Sequence, residues 1–379
     1  MRTASKLVVL LSCCWSAFAL AQNCPERAQW PTEAWPVNLV DPIAKATELK
    51  QLEDYAFTLE GKDSERLGLR TDGLVIIKGG TIVYERYARG FDETKRHLSW
   101  SVAKSVSSVL IGIAVQQGAL LLSDSICVHL PEYNGTAQCA ITVKDAITFG
   151  TGLGWQEVYE NKSNQISSIL STLYGAGHRD QLKAILTHKL QAEPGKRWKY
   201  STGDAELASA VAKRVLAKVH GADAFWKVLL DPIGMQRAVV EEDAKGTPIG
   251  GSCVYATIRD YAKFGFLFLN DGCWDGTRLV PEGWVAASTT PSEVFVASAP
   301  ADELTPSGYS WWLNRAVPEQ NKPLPWPDVP GDTYAALGHW GQRIIVVPSE
   351  DIIVVRVGDD RVASIDVNEL MKHCLAVAR

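Results

Sequence analysis

The sequence lacks the marks of a metalloprotein. It has only seven histidines in 379 residues and no CxxC, HExxH or His-rich cluster, so no metal and no other cofactor is expected. It has no long basic run, and acidic residues outnumber basic ones 43 to 38, which leaves nucleic-acid binding without support. Past residue 20 no apolar stretch is long enough to span a bilayer. Internal repeats and low-complexity tracts are absent, and 46% hydrophobic with 21% charged residues are ordinary globular proportions. A G-x-S-x-G elbow is missing too, which disfavours an ordinary α/β-hydrolase.

What is present begins with an export signal. Arg2 and Lys6 precede the apolar stretch Leu7 to Leu20, and Ala19-Leu20-Ala21 is a small-x-small cleavage site. Residues 1–21 therefore read as a signal peptide, with a periplasmic or secreted chain starting at Gln22. Two alternatives are a membrane anchor, for which the stretch is short, and a lipoprotein at Cys13 after Leu10-Leu11-Ser12. Signal removal leaves no stable membrane insertion and six cysteines: Cys24, Cys127, Cys139, Cys253, Cys273 and Cys374. An even number in an oxidising compartment suggests disulfides. Cys127–Cys139 and Cys253–Cys273 would close short loops, and Cys24–Cys374 would join the chain ends. Buried free thiols are the alternative.

The pattern predicts an α+β fold. Asp41 to Thr58 reads as an amphipathic helix with Ile43, Ala46, Leu49, Leu52 and Tyr55 on one face. Leu74 to Lys78 and Thr81 to Tyr84 flank Gly79-Gly80 as a hairpin, and Arg343 to Val347 with Ile352 to Val357 form another. Residues 366–379 look helical. Between the hairpins lie helix candidates at Ser101 to Gln117, Asp180 to Lys189, Gly203 to His220 and Ile258 to Asn270. The expectation is one antiparallel sheet flanked by helices, built from residues 22–100 and 285–379, with a mostly helical domain, 101–284, inserted. The proline-rich segment 316–333 reads as a surface loop near a site.

Three places carry chemistry. In Ser101-Val102-Ala103-Lys104, a serine and a lysine three residues apart share a helix face, with Ser101 at the positive helix start. A lysine shielded from water loses its proton near neutral pH and serves as a base. Alone the spacing is a common coincidence, a capping serine beside a solvated lysine. Tyr200, on a turn before the Gly203 helix, is the second element. Nearby cations such as Lys104 would lower its pKa and make it a base for Ser101, then an acid for the leaving group; simple packing is the alternative. Third, Gly338-His339-Trp340-Gly341-Gln342 opens a strand, where glycine allows close approach and a backbone N–H completes an oxyanion hole with that of Ser101. Trp155, Glu157, Tyr159, Trp311, Trp312 and Trp340 are candidates for an aromatic cleft. Trp340, and after it Trp155 or Tyr159, are the ones expected to touch substrate.

Ser101-Val102-Ala103-Lys104, Tyr200-Ser201-Thr202 and His339-Trp340-Gly341-Gln342 stand in the order of the three motifs of serine β-lactamase-like proteins. The linking text agrees: Phe149 to Trp155, Gly250-Gly251-Ser252, and Ala256 to Asp260. The chain resembles this family over roughly residues 70–360. The resemblance implies Ser101 as nucleophile, Lys104 as base, Tyr200 as acid/base, and Gln342, after the matching Gly341, as the second oxyanion amide. It departs where β-lactamases and D,D-peptidases usually carry Lys-Thr-Gly, here His339-Trp340-Gly341, and where their second motif ends in asparagine, here Thr202. A neutral histidine attracts a substrate carboxylate far less than an ammonium does. The resemblance thus leans to the esterase and 6-aminohexanoate-dimer hydrolase branch, acting on a small ester or amide. The alternatives are a β-lactamase or D,D-peptidase, and a penicillin-binding or sensor-type protein without turnover.

Overall fold

A computed structural model describes residues 24–159 and 167–379. The signal segment and Cys13 lie outside the described residues. The frame is a six-stranded antiparallel sheet drawn from both ends of the chain. Its strands are β1 (Thr71–Lys78), β2 (Thr81–Tyr87), β3 (Trp312–Leu313), β4 (Tyr334–Gly338), β5 (Gln342–Val347) and β6 (Ile352–Gly358), in the spatial order β2-β1-β6-β5-β4-β3. The turn Gly79-Gly80 joins β1 to β2 with both residues at positive φ, 57° and 76°, which glycine alone adopts freely. Register along β1–β6 runs from Thr71 opposite Gly358 to Lys78 opposite Ile352.

The strands are almost continuously apolar because both faces of the sheet are covered. Leu74, Ile76, Ile345, Val347, Ile352 and Val354 pack with Leu52, Leu370, Met371 and Cys374 of the helices α1 (Ala46–Phe57) and α5 (Val367–Ala378). Val75, Ile77, Ile344, Val346, Ile353 and Val355 face the larger core on the other side. Alternating residues thus serve two cores. That larger core contains α2 (Val102–Gln116), α3 (Thr202–His220) and α4 (Ile258–Leu269). α2 is buried from Val102 to Ala114, so it forms the centre of the molecule rather than an amphipathic cover.

Three expectations need correction. The span 101–284 is not wholly a separate helical domain, because α4 lies on the sheet. A Cβ on its Gly265 would sit 3.0 Å from both Ile344 and Ile353. The proline-rich segment is not a bare surface loop: Trp326 and Val329 pack into the core beside α1 and α5, and Val317 lies in a second buried cluster that Tyr200 adjoins. The disulfides are Cys127–Cys139 and Cys24–Cys273, not Cys253–Cys273 or Cys24–Cys374. Cys253 and Cys374 are free thiols. Cys374 points into the α5 core, while the segment after Cys24 runs along the end of α4, where Trp30 packs on Phe266 and Trp274 and Arg27 bonds Asn270.

Candidate active site

Ser101 sits between Trp100, held at φ 46°, and the first turn of α2. It occupies the N-cap position but its side chain makes no cap bond, which leaves the hydroxyl for chemistry. The approach to it is fixed by Ser99, whose N–H donates to Val254 O (2.8 Å) and whose hydroxyl donates to Ser252 O (3.0 Å). Lys104, one turn on, is 2% exposed. Its Nζ lies 3.0 Å from Ser101 Oγ, 2.8 Å from Thr202 Oγ1 and 2.7 Å from Gly251 O. A neutral amine has two N–H donors and one lone pair. Thr202 and Gly251 match the donors, and the Ser101 hydroxyl matches the lone pair. Burial drives the Lys104 pKa down to about 8, partly opposed by the carboxylates of Glu157 and Glu206.

Thr202 links this amine to a carboxylate. Its hydroxyl accepts from Lys104 and donates to Glu157, which also accepts the Thr202 backbone N–H at 2.9 Å. The indole of Trp155 and the hydroxyl of Tyr159 donate to the same Glu157. The polar chain therefore runs Glu157, Thr202, Lys104, Ser101. Glu157 stood in the sequence only as a member of an aromatic run; its alternation with Trp155 and Tyr159 was the one signal. Thr202, noted as a departure, proves to be the connecting hydroxyl. Gly251 contributes through its backbone carbonyl, which no side-chain pattern marks.

Tyr200 stands at the other side of the serine. Its hydroxyl faces Ser101 closely enough to feel it, and Lys104 Nζ lies 5.1 Å from the centroid of its ring. Phe149 and Trp312 pack around that ring, at 5.0 and 5.5 Å between centroids. Its pKa is raised, chiefly by burial and then by Glu157, while Ser101 opposes this. The expected lowering by Lys104 is therefore wrong: Lys104 meets the face of the ring, and the hydroxyl stays a phenol.

The third motif closes the cleft. Tyr159 stacks on His339 at 4.8 Å, and Trp100 meets His339 and Trp340 edge-on at 5.4 and 5.0 Å. The Arg361 guanidinium, which the sequence did not single out, lies 3.2 Å from the centroid of the Trp340 ring. Trp155 is 1% exposed and packs against the start of α3, where a Cβ on Gly203 would meet it at 2.7 Å. It belongs to the core and does not line the cleft, and Trp311, fully buried, does not either.

The side chain of Gln342 and the space beside Gly341 both lie on the inner side of the third motif. Gln342 begins β5, an interior strand, and is 2% exposed. Its carboxamide donates to His339 O, Trp340 O and Gly358 O, so it braces the turn from inside. A Cβ on Gly341 would lie 1.8 Å from Arg356 Nη1, so this glycine makes room for a buried guanidinium and not for substrate. The close approach to the segment that leads into Ser101 is at Gly338, where a Cβ would be 2.4 Å from Ser99 O. β3 pairs only with Tyr334 and Ala335, so the end of β4 toward Gly338 is the sheet edge beside Ser101.

Comparison with known proteins identifies the family. A sequence model described as Beta-lactamase matches residues 58–361. The 6-aminohexanoate-dimer hydrolase of Paenarthrobacter ureafaciens is 23% identical over 335 residues, covering 86% of this chain and 81% of its own. A family VIII carboxylesterase superposes with a TM-score of 0.63 at 16% identity, over 87% of this chain and 98% of that one. A penicillin-binding protein homolog from Caulobacter crescentus gives 0.63 at 15%, over 90% and 99%. At such identities the structural likeness shows the fold alone.

Proposed function

Given that the chain belongs to the β-lactamase family and has its serine-hydrolase fold, we propose that it is an exported hydrolase that opens an ester or amide through an acyl-enzyme on Ser101. The observation that carries this reading is the Lys104 amine, buried and 3.0 Å from the Ser101 hydroxyl. Lys104, neutral, takes the Ser101 proton as Oγ attacks the carbonyl carbon. The Ser101 N–H at the start of α2 and a backbone N–H of the His339–Trp340 turn hold the oxyanion. Tyr200 gives its phenolic proton to the leaving oxygen or nitrogen and regains one from Lys104. Water, deprotonated by the same pair, then releases the acid and restores Ser101.

His339 and Trp340 in the third motif, with Thr202 in the second, favour the ester and linear-amide branch, as does the likeness to a 6-aminohexanoate-dimer hydrolase. The signal-like N-terminus and two disulfides support export. The test uses purified mature protein with p-nitrophenyl acetate and butyrate, with Ser101→Ala beside it. A burst, steady turnover and an acyl group on the Ser101 peptide by mass spectrometry are expected. Slow acylation without turnover would make the chain a sensor-type protein. A chromogenic cephalosporin cleaved far faster than the esters would make it a β-lactamase.

A further inference from the structure

One buried acid near the site has no part in the scheme above. Glu206 lies on α3 one turn beyond Thr202, so the two side chains share a face. Both wall Gly251, the residue whose carbonyl receives Lys104. A Cβ placed there would be 2.7 Å from Thr202 Cγ2 and 3.3 Å from Glu206 Oε1. Glu206 is 1% exposed and neither carboxylate oxygen completes a hydrogen bond. The N–H groups of Gly250 and Gly251 lean toward it, and Lys104 is the cation that favours its ionised form. Burying a carboxylate without a partner is costly, and such groups are rare in native cores. The groups acting on Lys104 can be counted out: Glu157 from the loop before residue 160, Asp204 and Glu206 from α3, and Cys253 from the segment before Val254. Glu157 is bonded by Thr202, Trp155 and Tyr159, and Asp204 by Thr151 and Ser201. Glu206 is the carboxylate left without such a claim on it.

We propose that Glu206 is a positioning residue for the Lys104 amine: its charge sets the pH at which Lys104 gives up its proton, and with it the pH at which Ser101 becomes a nucleophile. Burial raises the Glu206 carboxyl while it lowers the Lys104 ammonium, so one proton is contested between the two. With the pair sharing a single proton, the two groups together carry no net charge. The kinetic half of this proposal rests on the acyl-enzyme reading; the coupling of the two groups does not.

The experiment labels lysine at 13Cε in the full mature chain carrying Ser101→Ala and follows the Lys104 resonance with pH by NMR, assigned through Lys104→Arg. Glu206→Gln is expected to lower its midpoint by about one pH unit or more, as loss of a nearby negative charge does. Glu206→Asp, which keeps the charge, should hold the midpoint closer to that of the parent. In protein with Ser101 intact, the acidic limb of kcat/KM for p-nitrophenyl butyrate should move by the same amount. A purely structural Glu206 would lower activity and leave both midpoints in place, and that result overturns the proposal. Should Glu206→Gln not fold, Lys104→Met gives the reciprocal reading, since coupling acts equally on both partners. The Glu206 carboxyl, labelled at 13Cδ, must then titrate at higher pH, and an unmoved midpoint overturns the proposal. A shifted Lys104 midpoint in a protein that turns over no ester would keep the coupling and remove the acyl-enzyme reading.

Discussion

Gly341→Ala tests whether the third motif is held from inside the sheet. Gly341 has φ +89°, and a Cβ would lie 1.8 Å from Arg356 Nη1 and 2.4 Å from Asp360 Oδ2. Those two side chains form a bidentate pair, both contacts at 2.7 Å, with no exposure. Arg356 also donates to Gly341 O and Thr71 Oγ1, each at 2.9 Å, so it ties the first strand of the sheet to the motif. Alanine at this φ costs about 1–2 kcal/mol. Parting a buried pair costs about 3–5 kcal/mol more. At about 2.1 cal/mol/K per residue of unfolding entropy, the sum lowers the melting temperature of a chain this long by about 5–10 °C. Gly90→Ala is the control, since Gly90 has φ +75° and nothing within 4 Å of its Cβ position, so it carries the backbone cost alone. Calorimetry on disulfide-intact protein reads both variants. Equal melting temperatures for the two would refute the view that the ion pair fills the space beside Gly341.

The other predictions concern the amine, the phenol and the cysteines. Because burial lowers Lys104 to about 8, acylation of Ser101 should rise as pH increases through that value, read from burst rates. The unfolded lysine keeps its proton to about 10.4, so between those values the unfolded state binds more protons and stability should climb with pH. Lys104→Met should flatten that climb in urea melts. Tyr200→Phe should slow turnover by about 10²–10⁴-fold while the fold, by circular dichroism, is kept; an unchanged rate would remove Tyr200 from the proton path. Peptide mapping without reductant should join Cys24 to Cys273 and Cys127 to Cys139, with Cys374 alkylated only after unfolding and the half-buried Cys253 before it; a Cys253–Cys273 peptide would contradict the structure.

Local periodicity made much of this molecule legible. Ser101 and Lys104 could be placed on one helix face because an i,i+3 spacing needs nothing but a helix. The Gly79-Gly80 turn and the apolar runs on either side of it gave the first hairpin. Long-range partners were another matter. Short loop length identified Cys127–Cys139, yet failed for Cys253, because the course of residues 24–30 along α4 is fixed by Trp30, Phe266 and Trp274 packing together. Tyr200 was placed correctly beside Ser101, but its proton affinity depends on burial and on Glu157, neither visible in the motif. Gln342 and Trp155 occupy positions typical of substrate contacts and are sealed in the interior. Glu206 sits in an ordinary helical stretch, and only the fold brings it beneath Gly251.

The pairing of Thr71 with Gly358 has a consequence for the life of the chain. During synthesis the first hairpin emerges with one of its edges bare, and the strand that covers it is made only after the whole helical middle. Contacts so distant in sequence form slowly, and an open apolar edge invites association with other chains. The nucleophile and its lysine exist from residue 104 onward, yet the sheet edge they face is anchored by β6 and α5. A fragment released short of residue 358 would carry the reactive motif without the frame that arms it. Synthesis as far as β6 is thereby built into the assembly of the sheet.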